Sequence, residues 1–234
     1  MDKKNVAIIT ARGGSKRIPR KNIKLFLGQP IIKYSIEAAL KSNCFNEVMV
    51  STDDVEIAEI ARKLGAVVPF LRSQLNSNDH ASTADVIDEV LRAYSELGKE
   101  FDNFCCLYPT APFVTAKKLS EAMNVLSGKD VDAVFPVVRF SYPIQRGLKI
   151  EDGLIKMIWP ENLNKRSQDL DSAYHDAGQF YFMKVKSFLE ERKVFAEKSF
   201  PLIMGEMEVQ DIDNEEDWKI AELKYEIIRS KSNL

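Results

Sequence analysis

The sequence predicts an α/β fold, a doubly wound and mostly parallel sheet that carries an inserted β-arm. Three observations predict it. Short β-rich runs alternate with amphipathic helical stripes as far as Val138. Polar capping residues and glycines punctuate the stripes. After about Arg139 the alternation stops and turn residues cluster. Strands spaced by helices make βαβ units and a parallel sheet, and right-handed crossovers place helices on both faces.

The elements follow in order. Val6 to Thr10 (VAIIT) reads as a buried strand. Ile32, Ile36, Ala39 and Leu40 give the run from Ile31 to Ser42 helical spacing. Glu47 to Ser51 is a second strand. Asp53 or Asp54 caps the next helix, whose stripe is Ile57, Ile60, Ala61 and Leu64, and Gly65 ends it. Ala66 to Phe70 reads as a third strand. Ser82 or Thr83 caps a helix with Ile87, Leu91 and Tyr94 on one face, closed by Gly98. Phe104 to Tyr108 is a fourth strand, Ala116 to Leu126 a helix, and Ala133 to Val138 a fifth strand. From Phe140 to about Gln168, the turn signals at Ser141, Pro143, Gly147 and Pro160 predict the arm, with Asp152-Gly153 as a tight hairpin. Gln179 to Met183 is again strand-like, and Asn214 to Arg229 is a final helix. The whole reads as one domain of residues 1–234 with its arm at about 140–168.

Composition sets limits. The chain has 234 residues, 45% of them hydrophobic, enough for a real core in one domain with an appended lobe. Thirty-three Lys and Arg against 35 Asp and Glu leave a formal charge of −2. That near balance argues against a general nucleic-acid or membrane-surface binder. Three cysteines are too few, and odd in number, for a disulfide framework. Adjacent Cys105 and Cys106 would point to opposite faces of a strand and read as buried small hydrophobes, which suits a reducing compartment. The start, Met1-Asp2-Lys3-Lys4, does not read as a signal peptide, and no apolar run approaches the ~20 residues of a membrane span. The expected location is the cytoplasm.

In an open α/β sheet, ligands bind at the carboxyl ends of the strands. The loop after the first strand, Ala11 to Asn22, holds Gly13 and Gly14 and the cations Arg12, Lys16, Arg17, Arg20 and Lys21. Glycines let backbone N–H groups approach an anion, and clustered cations neutralise a triphosphate. The loop is neither GxxxxGK[ST] nor GxGxxG, which disfavours a Walker site and a dinucleotide cofactor.

Near the other end, Asp211 and Asp213 stand two apart, so an extended segment puts both carboxylates on one face. Hard oxygen ligands of this kind suit Mg²⁺. Asp213-Asn214-Glu215-Glu216 is also a capping-box pattern with Asp213 as N-cap. Spacing alone leaves both readings open, and the two can coexist.

The string ARGGSKRIPRKN resembles the signature loop of the CMP-nonulosonate synthetases, the acylneuraminate cytidylyltransferase family, relatives of the CMP-KDO synthetases. VSTDDVEIAEIA at Val50 to Ala61, Leu71-Arg72 with Ser82-Thr83, LYPTAPF at Leu107 to Phe113, and Asp211-Ile212-Asp213 resemble further family segments in order. KRSQDLDSAYHDAGQFYF and EVQDIDNEEDW resemble the pseudaminic acid branch. Sialic acid synthetases usually carry Gln where Tyr108 sits, and Arg-Pro-Asn-Gly where His175-Asp176-Ala177-Gly178 sits.

The resemblance implies a Rossmann-like nucleotidyltransferase that moves CMP from CTP to the anomeric hydroxyl of a nonulosonic acid. Arg12, Lys16 and Lys21 would hold the phosphates, within a nucleotide site of Ala11, Arg12, Gly13, Ser15, Lys16, Asn22, Arg72 and Ser82. Asp211 and Asp213 would hold the catalytic Mg²⁺. Tyr108, His175, Gln179 and Tyr181 offer rings and hydrogen-bonding groups to the sugar. Arg166 would meet its carboxylate, and Gln168 would belong to the same sugar site. The resemblance also implies a homodimer whose arms reach the partner's site. CMP-N-acetylneuraminate or CMP-legionaminate synthesis is the alternative within the family. A non-catalytic nucleotide-binding module is the alternative outside it, and would need no acid pair. A Ser-His-Asp hydrolase is disfavoured, because no GxSxG elbow follows a strand.

Overall fold

The protein is described from a computed structural model covering residues 3–232; Met1 and Asp2 of the charged start lie outside the described residues. In chain order the elements are β1 (Asn5–Thr10), β2 (Leu25–Phe26), β3 (Gln29–Pro30), α1 (Ile32–Ser42), β4 (Glu47–Ser51), α2 (Val55–Lys63) and α3 (Thr83–Glu96). Then come β5 (Asn103–Leu107), α4 (Ala116–Gly128), β6 (Ala133–Arg139), the hairpin β7 (Leu148–Glu151) and β8 (Leu154–Met157), and β9 (Tyr174–Asp176). The chain finishes with β10 (Phe180–Lys184), α5 (Val185–Glu191), β11 (Ser199–Met204) and α6 (Glu215–Ser232).

The main sheet runs β11-β6-β10-β5-β1-β4, with β9 also on β6. β4, β1 and β5 are parallel neighbours, as are β6 and β11. β10 runs antiparallel between β5 and β6. The sheet is therefore mixed, with most strands pointing one way. β9 and β10 form one interrupted strand, broken where Gly178 takes φ +61° and the Asp176 carboxylate accepts its N–H.

Alternation along the strands divides the core as expected. Cys105 packs with α1, α2 and α4 on one face, and Cys106 with α3 and α5 on the other. Both thiols are free, and burial pushes Cys106 up to about 12. The caps are also as read. Asp54 accepts from the Ile57 N–H, and Ser82 forms a capping box with Asp85. In the arm, Asp152 and Gly153 both take positive φ, the requirement of a tight two-residue hairpin turn.

Three points differ from the sequence reading. Ala66 to Phe70 is not a strand. Only Val67 bridges β4, through bonds of 2.9 Å to Val48 and Val50, and Pro69 has no N–H to continue the ladder. β11 adds a sheet edge with no counterpart in that reading, since its run SFPLIM contains Pro201 and lacks alternation. The last helix is capped by Asn214, not Asp213. The Asn214 Oδ1 accepts the N–H groups of Glu216 and Asp217, while Asp217 reaches back to those of Asp213 and Asn214.

A third cluster fixes the site. Ile18, Phe26, Ile31, Phe113, Ile212, Trp218 and Ala221 pack together beneath the carboxyl ends of the strands. Phe26 meets Tyr34, Trp218 and Tyr225 edge-on. Burying Ile18 anchors the basic loop, and burying Ile212 turns its two aspartate neighbours away from that cluster. Among the described residues no helix is long and apolar enough to cross a membrane.

Candidate active site

The loop after β1 borders a cavity of about 380 Å³ lined by Thr10, Arg12, Ser15, Lys16, Arg17, Lys21, Asn22 and Asp79. Arg12 pairs with Asp79 at 2.7 Å and donates to the Asn78 carbonyl, and Lys16 pairs with the same Asp79. Asn22 is buried and donates to the Arg12 carbonyl at 2.8 Å, closing the loop on itself. The Gly13 N–H donates to Asp53 at 2.9 Å. Gly13 is needed for close approach, because a Cβ there would lie 2.8 Å from Asp54 Oδ2; Gly14 faces open space. Ala11 is buried at the end of β1.

Lys21 is mostly enclosed. Its Nζ donates to the Ile212 carbonyl at 2.6 Å and lies 3.9 Å from Asp213, and burial pulls its ammonium below the usual lysine range. Arg17 pairs with Asp213 at 2.6 Å. The basic loop thus touches the acid segment directly.

Asp211 faces a second cavity, of about 330 Å³, with Arg139, Phe140, Ser141, His175, Gln210 and Lys224 among its lining residues. Lys224 of α6 positions this wall by donating to the carbonyls of Glu206 and Val209 and to Gln210 Oε1. The Asp211 carboxyl is held above the usual carboxylate range, first by the protein crowded around it and then by the charge of Asp213. A cation would relieve both. The described residues hold no group of three or more metal-type side chains. Two carboxylates completed by substrate phosphates and water suit Mg²⁺, which seldom takes an all-protein cage.

The remaining candidates separate into those at the surface and those beneath it. His175 is exposed on β9, with its ring 4.9 Å from Phe140 and its Nδ1 2.9 Å from the Asp176 carbonyl. Tyr108 lies just past β5, its hydroxyl 3.3 Å from Thr83 Oγ1, and burial raises its phenol. Tyr181 is buried behind it, rings 5.7 Å apart, and donates to Asp176. Gln179 is buried and donates to the Glu208 carbonyl at 2.7 Å. Tyr181 and Gln179 are thus held inside the protein, and neither is among the residues lining the two cavities.

Arg72 is buried with its guanidinium on Ser51, at 3.0 Å to Oγ and 2.5 Å to the carbonyl, where desolvation lowers its proton affinity. Ser82 is committed to capping α3. Arg166 and Gln168 sit exposed on the arm, and Arg166 pairs with Asp169 at 2.8 Å. No hydrogen bond or ion pair among the described residues joins either to the pocket. Asp79 and Phe140 belong to the site but carried no local signal, because their partners lie far away in sequence; Arg17 stood among the loop cations, but its partner Asp213 emerges only in the fold.

The model of the family described as "Cytidylyltransferase" matches residues 6–229. A pseudaminic acid cytidylyltransferase of Campylobacter jejuni is 43% identical over 225 residues, covering 96% of this chain and 97% of that protein. The CMP-N,N'-diacetyllegionaminic acid synthase of Legionella pneumophila is 32% identical over 226 residues, covering 95% and 96% respectively. A CMP:2-keto-3-deoxy-manno-octonic acid synthetase complexed with CTP shares the fold, with a TM-score of 0.67 at 17% identity over 97% of this chain and 99% of that chain. Matched from its first strand into its last helix, through both the basic loop and the acid pair, this chain belongs to the cytidylyltransferase family and is a nucleotidyltransferase.

Proposed function

We propose that the enzyme transfers CMP from CTP to the anomeric hydroxyl of pseudaminic acid, releasing pyrophosphate. One observation carries this reading: segment 211–213 links the lining of one cavity to that of the other. Its Ile212 carbonyl and Asp213 carboxylate meet Lys21 and Arg17 of the basic cavity, and Asp211 lines the other. A triphosphate in the first and a sugar acid in the second would meet at the acid pair. Arg12, Lys16 and Lys21 neutralise the phosphates and the leaving pyrophosphate, while Asn22 fixes the loop that carries them. Asp211 and Asp213 would hold Mg²⁺, which supplies charge neutralisation at the phosphates.

The sugar assignment rests on the groups at the second cavity. Pseudaminic acid ends in a methyl group and carries two acylamido groups, so it suits rings and polar side chains side by side. Phe140 and His175 offer these, with Ser141 and Gln210 beside them. A site built for one hydrogen-bonding pattern rejects another by leaving buried groups unpaired. Equal pseudaminic and N-acetylneuraminic acid, given with CTP and Mg²⁺, should yield mainly CMP-pseudaminic acid by mass. Dominance of CMP-N-acetylneuraminic acid would move the enzyme to another branch. No pyrophosphate release with any nonulosonic acid would favour a non-catalytic module.

The arm belongs to the same proposal. Leu148, Ile150, Leu154 and Ile155 are exposed on its hairpin. Docking on a second copy would cover them and carry Arg166 and Gln168 of one copy into the sugar pocket of the other. Light scattering at assay concentration should give twice 26.6 kDa; a monomer mass refutes the dimer. The substrates in this reading are two small molecules, with no nucleic acid or membrane, and the setting is the cytoplasm.

A further inference from the structure

The basic loop is tied to the protein at a residue that its own backbone does not favour. Arg20 takes φ 56° and ψ 29°, the left-handed region that suits glycine. Any side chain there is held at a cost, so its contacts must compensate. The Arg20 guanidinium forks onto Asp54, with both terminal nitrogens donating to the carboxylate, and also pairs with Glu56. Bidentate pairing of this kind fixes orientation as well as charge.

Both acceptors sit at the start of α2. Asp54 is its N-cap, accepting from the Ile57 N–H at 3.0 Å, and its side chain also forms the wall that only a glycine at position 13 can approach. The neighbouring Asp53 holds the Gly13 N–H. One helix start therefore grips the loop near its beginning, at Gly13, and near its end, at Arg20. Beyond Arg20 the chain turns at once into Lys21 and Asn22, with the N–H groups of Ile23 and Lys24 each donating to the Arg20 carbonyl at 3.0 Å. Lys21 then reaches segment 211–213 and Asn22 reaches back to Arg12.

We propose that Arg20 is a positioning residue for the reaction: its clamp on Asp54 and Glu56 sets the left-handed turn that aims Lys21 and Asn22 at the triphosphate. Arg20 lies outside the lining of the basic cavity and acts through these two neighbours. The inference rests on the reading that this loop holds the triphosphate.

Arg20→Gly is the informative variant, because glycine accepts the turn without strain and removes only the clamp. The expected result is a folded enzyme with an unchanged melting temperature, a KM for CTP raised about tenfold, and an unchanged KM for the sugar. Arg20→Lys, which keeps the charge without the fork, should recover part of the loss. Glu56→Gln, which removes the second acceptor and leaves the α2 cap intact, should shift the KM for CTP in the same direction by less. Wild-type CTP kinetics in Arg20→Gly would overturn the proposal. So would a fall in kcat matched by a lower melting temperature with no change in the KM for CTP, which marks a purely structural role. Calorimetric titration of CTP into Lys16→Ala and Lys21→Ala separates the two levels. If those variants bind CTP normally, the triphosphate reading of the loop fails. If they bind weakly while Arg20→Gly binds as wild type, only the clamp fails.

Discussion

Replacing Lys21 with alanine should lower turnover by about a hundredfold or more while the protein stays folded. Removing one preorganised charge contact costs ~2.7–4 kcal/mol at comparable sites. Lys21 is the best placed of the loop cations. It is enclosed, held against the Ile212 carbonyl at 2.6 Å, and lies 3.9 Å from Asp213. Its charge is therefore poorly screened and already aimed at the acid segment. Lys16→Ala should act in the same direction by less, because Lys16 is largely exposed and pairs with Asp79 at the surface. Steady-state kinetics beside a thermal melt check both variants. Near-normal turnover in the two would take the triphosphate away from this loop.

Removing the Asp211 carboxylate, or chelating the metal, should abolish product formation. A bound divalent cation supplies several kcal/mol of transition-state charge stabilisation, so a loss on the order of a thousandfold is expected for Asp211→Ala. Asp213→Ala should also lower turnover, because it frees Arg17 and loosens the position of Lys21. The structure separates this effect from helix stability. The cap of α6 is Asn214, so Asn214→Ala should cost ~1 kcal/mol in urea denaturation while Asp213→Ala leaves the midpoint nearly unchanged. Full activity of Asp211→Ala in excess chelator would end the metal role. A large stability loss in Asp213→Ala would restore that residue as the cap.

Most of the parallel half of the sheet was legible because its signals are local. Val6 to Thr10 and Glu47 to Ser51 are apolar runs of strand length, and Asp54 and Ser82 cap the helices that immediately follow them. The basic loop was legible for the same reason, since its glycines and cations fall within a dozen residues of the first strand. Signals weakened where pairing replaces pattern. Val67 looks like part of a strand, but Pro69 stops the ladder, and β11 forms against β6 despite Pro201.

By itself, the sequence determined the α/β class and marked out the basic loop and the carboxylate pair, because each is written in consecutive residues of one type or spacing. Only the tertiary structure decided how these parts meet. Lys21 reaches Ile212 across 191 residues, Arg12 reaches Asn78 across 66, and Arg20 grips Asp54 across 34. It also buried Gln179 and Tyr181 away from the lining of both cavities, and gave the last cap to Asn214. The physical reason is the same in each case. Propensity and periodicity act over a few residues, whereas which side chain faces a cavity depends on packing between segments brought together only by the folded sheet.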